Sequence, residues 1–181
     1  MLTPIISLHQ IKHYDMKKAY SLNIYKDEKV LITGPNGVGK TTLLQIIAGW
    51  IKPQQGHAYI KKVNIGYLHS MKYLPKHMRV LEFLHQLYQI YGASIDPWLW
   101  MILFIDQQKM IHQLSKGQKQ KLLLIMCFLG NPDVVLLDEP FDGLDKLTTE
   151  KLMQYIQAYQ HTIIMTSHQA LMTSFKKHIR L

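Results

Sequence analysis

The chain has 181 residues, 48% of them apolar and 18% charged, a balance that supports one packed core and excludes intrinsic disorder. Lys and Arg number 21 against 12 Asp and Glu, a formal charge of +9 that favours phosphates, nucleic acid or an anionic membrane surface without choosing among them. The single cysteine, Cys127, rules out a disulfide framework and suits a reducing cytosol, with a buried free thiol as its plain reading.

The start of the chain turns polar at once and carries no secretory pattern. Its longest apolar runs, 98–105 and 122–129, fall far short of the ~20 residues that span a bilayer. A membrane role is therefore expected only through a partner.

In chain order, β-type stretches are expected at 5–14 and 19–25, then a short apolar strand at 30–33 that runs into a glycine-rich loop. Residues 41–48 carry apolar positions at helical spacing, stopped by Gly49 and Pro53. Short strands follow at 58–60 and 63–68, and helical patterns rich in Met, Tyr, Trp and Leu run from 80 to about 105. A helix at 115–129, a buried strand at 134–137, a helix at 148–160, a strand at 162–166 and a last short helix and strand complete the reading. This alternation implies an α/β fold with a mostly parallel sheet covered on both faces. No internal repeat, low-complexity tract or obvious flexible linker interrupts it.

Gly34, Pro35, Asn36, Gly37, Val38, Gly39, Lys40 and Thr41 match the phosphate-binding loop pattern at every fixed position. Its glycines let backbone N–H groups point inward at phosphates, and the following helix, with Thr42 in its first turn, turns its positive end to the same anion. Lys40 is expected on the β and γ phosphates and the Thr41 hydroxyl on Mg²⁺. The alternative is a turn that merely links a strand to a helix. By itself the loop indicates nucleotide, since kinases, GTPases, motors and helicases share it.

The strand at 134–137 ends in Asp138 and Glu139, where a strand of an open α/β sheet delivers groups to a ligand crevice. Asp138 is expected in the Mg²⁺ shell, and Glu139 as the group that polarises water. Solvated acids or a helix cap are the alternative, disfavoured by the four apolar residues before them.

Leu114-Ser-Lys-Gly-Gln118 resembles the signature sequence of ATP-binding cassette (ABC) proteins. Phe141-Asp-Gly-Leu-Asp145 resembles that family's D-loop, and His168 its switch histidine. The resemblance spans almost the whole chain. It implies a P-loop NTPase of ABC type over residues 1–181, with an antiparallel β subdomain and a helical subdomain inserted at about 71–113. It further implies a head-to-tail dimer, in which Ser115 and the Gly117 backbone of one subunit meet the γ-phosphate of ATP held by the other, with Gln118 and Asp145 as further nucleotide-binding residues. His168 would contact the γ-phosphate and orient Glu139 and water, and Tyr14 would stack on adenine, with Tyr20 and Tyr25 nearby as reminders that a structural tyrosine is the alternative. The other nine histidines read as structural, since none shows zinc-type pairing.

Two departures from the family pattern stand out. Ser70 occupies the place of a glutamine that touches Mg²⁺, and its reach is shorter by two carbons. Lys116 stands where glycine is common. Exposed Met, Tyr and Trp in 71–79 and 88–100 suit a groove that grips a partner's helix, against ordinary packing as the plain account. The segment 81–117 is compact for the family, and the chain ends soon after His168 with no C-terminal addition expected.

The resemblance thus implies an ATP-hydrolysing subunit of a transporter, peripheral on the cytoplasmic side of the membrane or otherwise cytoplasmic. Its expected partners are a separate transmembrane permease and a second cassette, identical or related, with export favoured and no specific nucleic-acid binding. A soluble ABC ATPase in a non-transport assembly, or a weakly hydrolysing switch limited by Ser70, is the alternative.

Overall fold

The computed structural model of the chain describes residues 3–68, 71–168 and 175–181. It divides into two compact units, one formed by residues up to 67 with 133–139 and 160–181, the other by 68–132 with 140–159.

The first unit holds both sheets. Strands β1 (Ile6–Lys12), β2 (Tyr20–Ile24) and β4 (Gln55–Ile60) form an antiparallel sheet in the order β2-β1-β4. Strands β3 (Lys29–Thr33), β5 (Ile65–Tyr67), β6 (Val134–Asp138), β7 (Thr162–Ser167) and β8 (Lys177–Arg180) form a parallel sheet in the order β5-β6-β7-β3-β8. Successive residues of β3, β6 and β7 are buried, as expected of parallel strands covered on both faces. Helix α1 (Lys40–Ile47) contributes Leu43, Leu44, Ile46 and Ile47 to one core shared by Ile6, Leu8 and Ile24 of the antiparallel sheet and Ile32, Leu136 and Ile164 of the parallel one.

The expected first strand is two residues too long at its C-terminal end. Gln10 takes a left-handed φ of 47° at a register shift in β1, and the chain then turns at His13, whose carbonyl accepts the Met16 N–H. The short helix expected before β8 lies largely outside the described residues, as do Ser70 and His69.

The second unit is helical: α2 (Val80–Tyr91), α3 (Pro97–Ile102), α4 (Lys116–Phe128) and α5 (Lys146–Ala158). Asp96 caps α3 by accepting the Leu99 N–H at 2.9 Å, with Pro97 at the first helical position. Trp98, Phe128 and Tyr159 pack edge-on or tilted around Tyr155 at centroid separations of 5.2, 5.2 and 6.1 Å, and Trp98 remains 40% exposed. Burial pushes the Tyr155 phenol above its ordinary value. Among the described residues no helix is long and apolar enough to cross a membrane.

Candidate nucleotide site

Within the first unit, β3 ends at Thr33 and the chain turns through Gly34–Gly39 into α1. Gly39 has a φ of +102°, and a Cβ there would stand 2.7 Å from Met16 Cγ. Only glycine meets both demands, so the turn at 13–16 is seated directly on the phosphate loop. That seat brings Asp15 into the lining of a cavity of about 440 Å³, together with Asn36, Gly37, Gly39, Lys40, Thr41, Thr42, Asp138, Glu139 and His168.

Lys40 is 6% exposed, and its ammonium donates to the carbonyls of Gly34 at 2.8 Å and Pro35 at 3.3 Å. It also lies 3.3 Å from His168 Nδ1 and 3.7 Å from Glu139 Oε1. A hydrogen bond from an ammonium makes Nδ1 the acceptor, which leaves the imidazole proton on Nε2, facing Glu139. Val38 faces the other way and is buried in the core.

The two carboxylates are set by pairing between β6 and β7, where Asp138 stands opposite Thr166. Thr166 Oγ1 donates to Asp138 Oδ1 at 2.6 Å and accepts the Glu139 N–H at 3.0 Å. The other carboxylate oxygen of Asp138 accepts from Thr41 Oγ1 at 2.6 Å. Glu139 leaves the strand with a left-handed φ of 46°, a conformation that costs of order 1–3 kcal/mol for a non-glycine residue and is held here by fixed partners. Its Oε2 accepts the His168 N–H at 3.2 Å. Its Oε1 lies 3.1 Å from His168 Nε2 but off the line of a hydrogen bond, so this buried oxygen has no hydrogen-bond partner. Burial pushes the Glu139 carboxyl above its ordinary value, His168 and Lys40 pull it back, and Asp138 adds to the rise.

Thr166 and Asp15 are the residues that sequence reasoning missed. Thr166 is buried near the end of β7, one of three buried hydroxyl residues in that strand with Thr162 and Ser167, and nothing in the sequence set it apart from the other two. Asp15 carried no signal beyond its neighbour Tyr14. Replacing Thr166 by valine removes the donor to Asp138 and the acceptor of the Glu139 N–H together. Each orphaned buried group costs about 1–3 kcal/mol, so the Thr166→Val chain is expected to melt several degrees lower and to lose turnover more than nucleotide affinity. An unchanged melting temperature and turnover would remove Thr166 from the site.

The remaining expected contacts lie elsewhere. Tyr14 is 87% exposed and meets His13 edge-on at 5.7 Å; it is not among the cavity-lining residues. Ser115, Gly117, Gln118 and Asp145 belong to the second unit. There Ser115 caps α4, its Oγ accepting the Gln118 N–H at 3.2 Å while Gln118 Oε1 accepts the Ser115 N–H at 3.0 Å. Asp145 caps α5 through the Thr148 N–H at 2.8 Å and hydroxyl at 2.7 Å, and these bonds hold its carboxyl below the ordinary value.

Residues 17–142 match the family model described as ABC transporter. The chain is 34% identical over 172 residues to an ABC transporter ATP-binding protein of Methanocaldococcus jannaschii, covering 87% of this chain and 65% of that one. It is 31% identical over 185 residues to the thiamine import ATP-binding protein of Aliivibrio fischeri, covering 87% and 76% respectively. Among solved structures, a bacterial ABC transporter cassette captured as a dimer in a post-hydrolysis state with ADP and Pi superposes with a TM-score of 0.78 at 25% identity, covering 91% of this chain and 88% of that one. The chain spans a little under two thirds of the length of the first of these relatives.

Proposed function

The chain belongs to the ABC transporter family, and from that premise we propose that it binds and hydrolyses ATP as the motor subunit of a transporter whose membrane-spanning part is a separate permease. The observation that carries this reading is the convergence of Lys40, Thr41, Asp138, Glu139 and His168 on one cavity beside the glycine loop.

The loop N–H groups and Lys40 bind the β and γ phosphates. Thr41 and Asp138 offer two hard oxygens, hydrogen-bonded to each other at 2.6 Å, that would hold Mg²⁺. The cation supplies charge neutralisation on the phosphate oxygens when bound. Glu139 Oε1, buried and without a hydrogen-bond partner, accepts the proton of the attacking water, while the water oxygen bonds to the γ-phosphorus and the bridging P–O bond breaks with its electron pair on ADP. His168 Nε2, 3.1 Å from Glu139 Oε1, helps to orient Glu139 and the water. Tyr14 is free to stack on adenine. Ser115 and Gly117, with Gln118 and Asp145 behind them, act on ATP held by a second copy or a related cassette, a reading supported by the dimeric cassette with ADP and Pi. Ser70, which stands in for the usual glutamine, would shorten the reach to Mg²⁺. The chain then acts as one ABC-type domain with residues 71–113 as its helical subdomain, peripheral on the cytoplasmic face of the membrane. Export is the direction the sequence favours, although a relative is named for thiamine import; direction and substrate belong to the permease.

Activity should follow ionisation of Glu139. Because burial holds this carboxyl above its ordinary value, the acid limb of kcat/KM is expected above the range of a free glutamate, with activity lost as pH falls through the raised value. A limb at the free-glutamate value, or none, would remove Glu139 as base.

The test of the whole reading is to tag the chain, solubilise native membranes in mild detergent, and assay what co-purifies for ATP hydrolysis. A multi-spanning protein in stoichiometric amount supports the transport reading. Recovery only with soluble assembly proteins would overturn transport and leave the ATPase standing.

A further inference from the structure

Two segments outside the nucleotide cavity are fastened together inside the second unit. Lys116 Nζ donates to Asp142 Oδ2 at 2.7 Å, with side chains 61% and 62% exposed. One turn along α4, Gln120 is buried and its amide donates to the Pro140 carbonyl at 3.1 Å. Between these two contacts the backbones of Gly117 and Gly143 touch: a Cβ on Gly117 would stand 2.4 Å from the Gly143 carbonyl oxygen, and Gly143 holds a φ of +78°. The buried amide and the glycine contact set the spacing. The ion pair is the exposed, charge-dependent member of the three.

We infer that Lys116 is a positioning residue: its ion pair with Asp142 locks the first turn of α4 to the loop at 140–145, so that both segments meet a second nucleotide-bound subunit as one block. The inference rests on the dimer reading above and gives a role to the lysine at the middle of the signature segment, where glycine would leave only the buried amide and the glycine contact to hold the loop. An exposed pair contributes little to global stability. It does remove conformers of the loop before association, and ordering done in advance is not charged against binding. Because both side chains face solvent, the effect is screened by salt.

The experiment uses the full chain carrying Glu139→Gln to arrest hydrolysis, with Lys116→Ala, Asp142→Ala, and the swapped pair Lys116→Asp with Asp142→Lys. Three readouts are taken: hydrogen exchange across 140–145, binding of a fluorescent ATP analogue, and dimer formation against ATP concentration. Each alanine variant is expected to speed exchange in 140–145 and to raise the ATP concentration at half-dimerisation by about two- to five-fold, with analogue affinity unchanged. The swapped pair should restore both, and 1 M salt should erase the difference. Equal exchange and equal dimerisation in all variants, or no recovery in the swapped pair, would overturn the inference. A parent chain that stays monomeric at saturating ATP would overturn the dimer reading itself, and with it the role of the block, even with exchange in 140–145 still responding to Lys116→Ala.

Discussion

Glu139→Gln is expected to leave ATP binding intact and to lower turnover by about 10²- to 10⁴-fold, the range that a positioned general base supplies. The substitution is nearly isosteric, so the strained φ of 46° and the Glu139 N–H bond to Thr166 are retained. What changes is Oε1, the buried oxygen without a hydrogen-bond partner. An amide at that position either offers a carbonyl of far lower basicity or turns its NH₂ toward Lys40 and His168, and neither form takes a proton from water at neutral pH. Loss of the negative charge also removes a like charge beside Asp138 and a partner from Lys40, so phosphate affinity should hold or rise. The measurement is single-turnover ATP hydrolysis alongside equilibrium nucleotide binding. Retained turnover at near wild-type rate would exclude Glu139 as the base, and loss of binding and turnover together would point to a structural role.

The fold was legible where local chemistry dictates the backbone. The glycine loop is readable because a fixed spacing of glycines, Lys40 and Thr41 encodes a specific anion-binding turn, and the apolar run before Asp138 marked a strand buried on both faces. Asp145 was legible as part of the D-loop pattern, yet its hydrogen bonds in the structure serve the start of α5, because a short carboxylate ahead of a helix meets the nearest unpaired N–H groups first. Thr166 was not legible as a site residue. Its role depends on the register that sets it opposite Asp138, a pairing between strands separated by a whole helix in the sequence, and no local pattern carries that register. The same holds for Asp15, which reaches the cavity only because Met16 is seated on Gly39. Contacts made by chain segments distant in sequence decide these positions, and periodicity reports only on near neighbours.

Lys40→Ala tests the other half of the site, and its effect should fall on binding first. A charged hydrogen bond to phosphate contributes about 1.5–3 kcal/mol, so ATP affinity is expected to fall by about 10- to 100-fold. Removal of the ammonium also leaves the carbonyls of Gly34 and Pro35 without their donor and withdraws one of the two side chains that pull the Glu139 carboxyl down. Burial and Asp138 then act on Glu139 with only His168 opposing them. The acid limb of the residual activity should therefore move to still higher pH, a shift that loss of affinity alone would not produce. Assayed as kcat/KM across pH, a variant with weakened affinity but an unmoved limb would show that Lys40 binds phosphate without setting the ionisation of Glu139. A limb displaced upward would tie the phosphate-binding lysine and the hydrolytic carboxylate into one electrostatic unit, as the 3.7 Å between them implies.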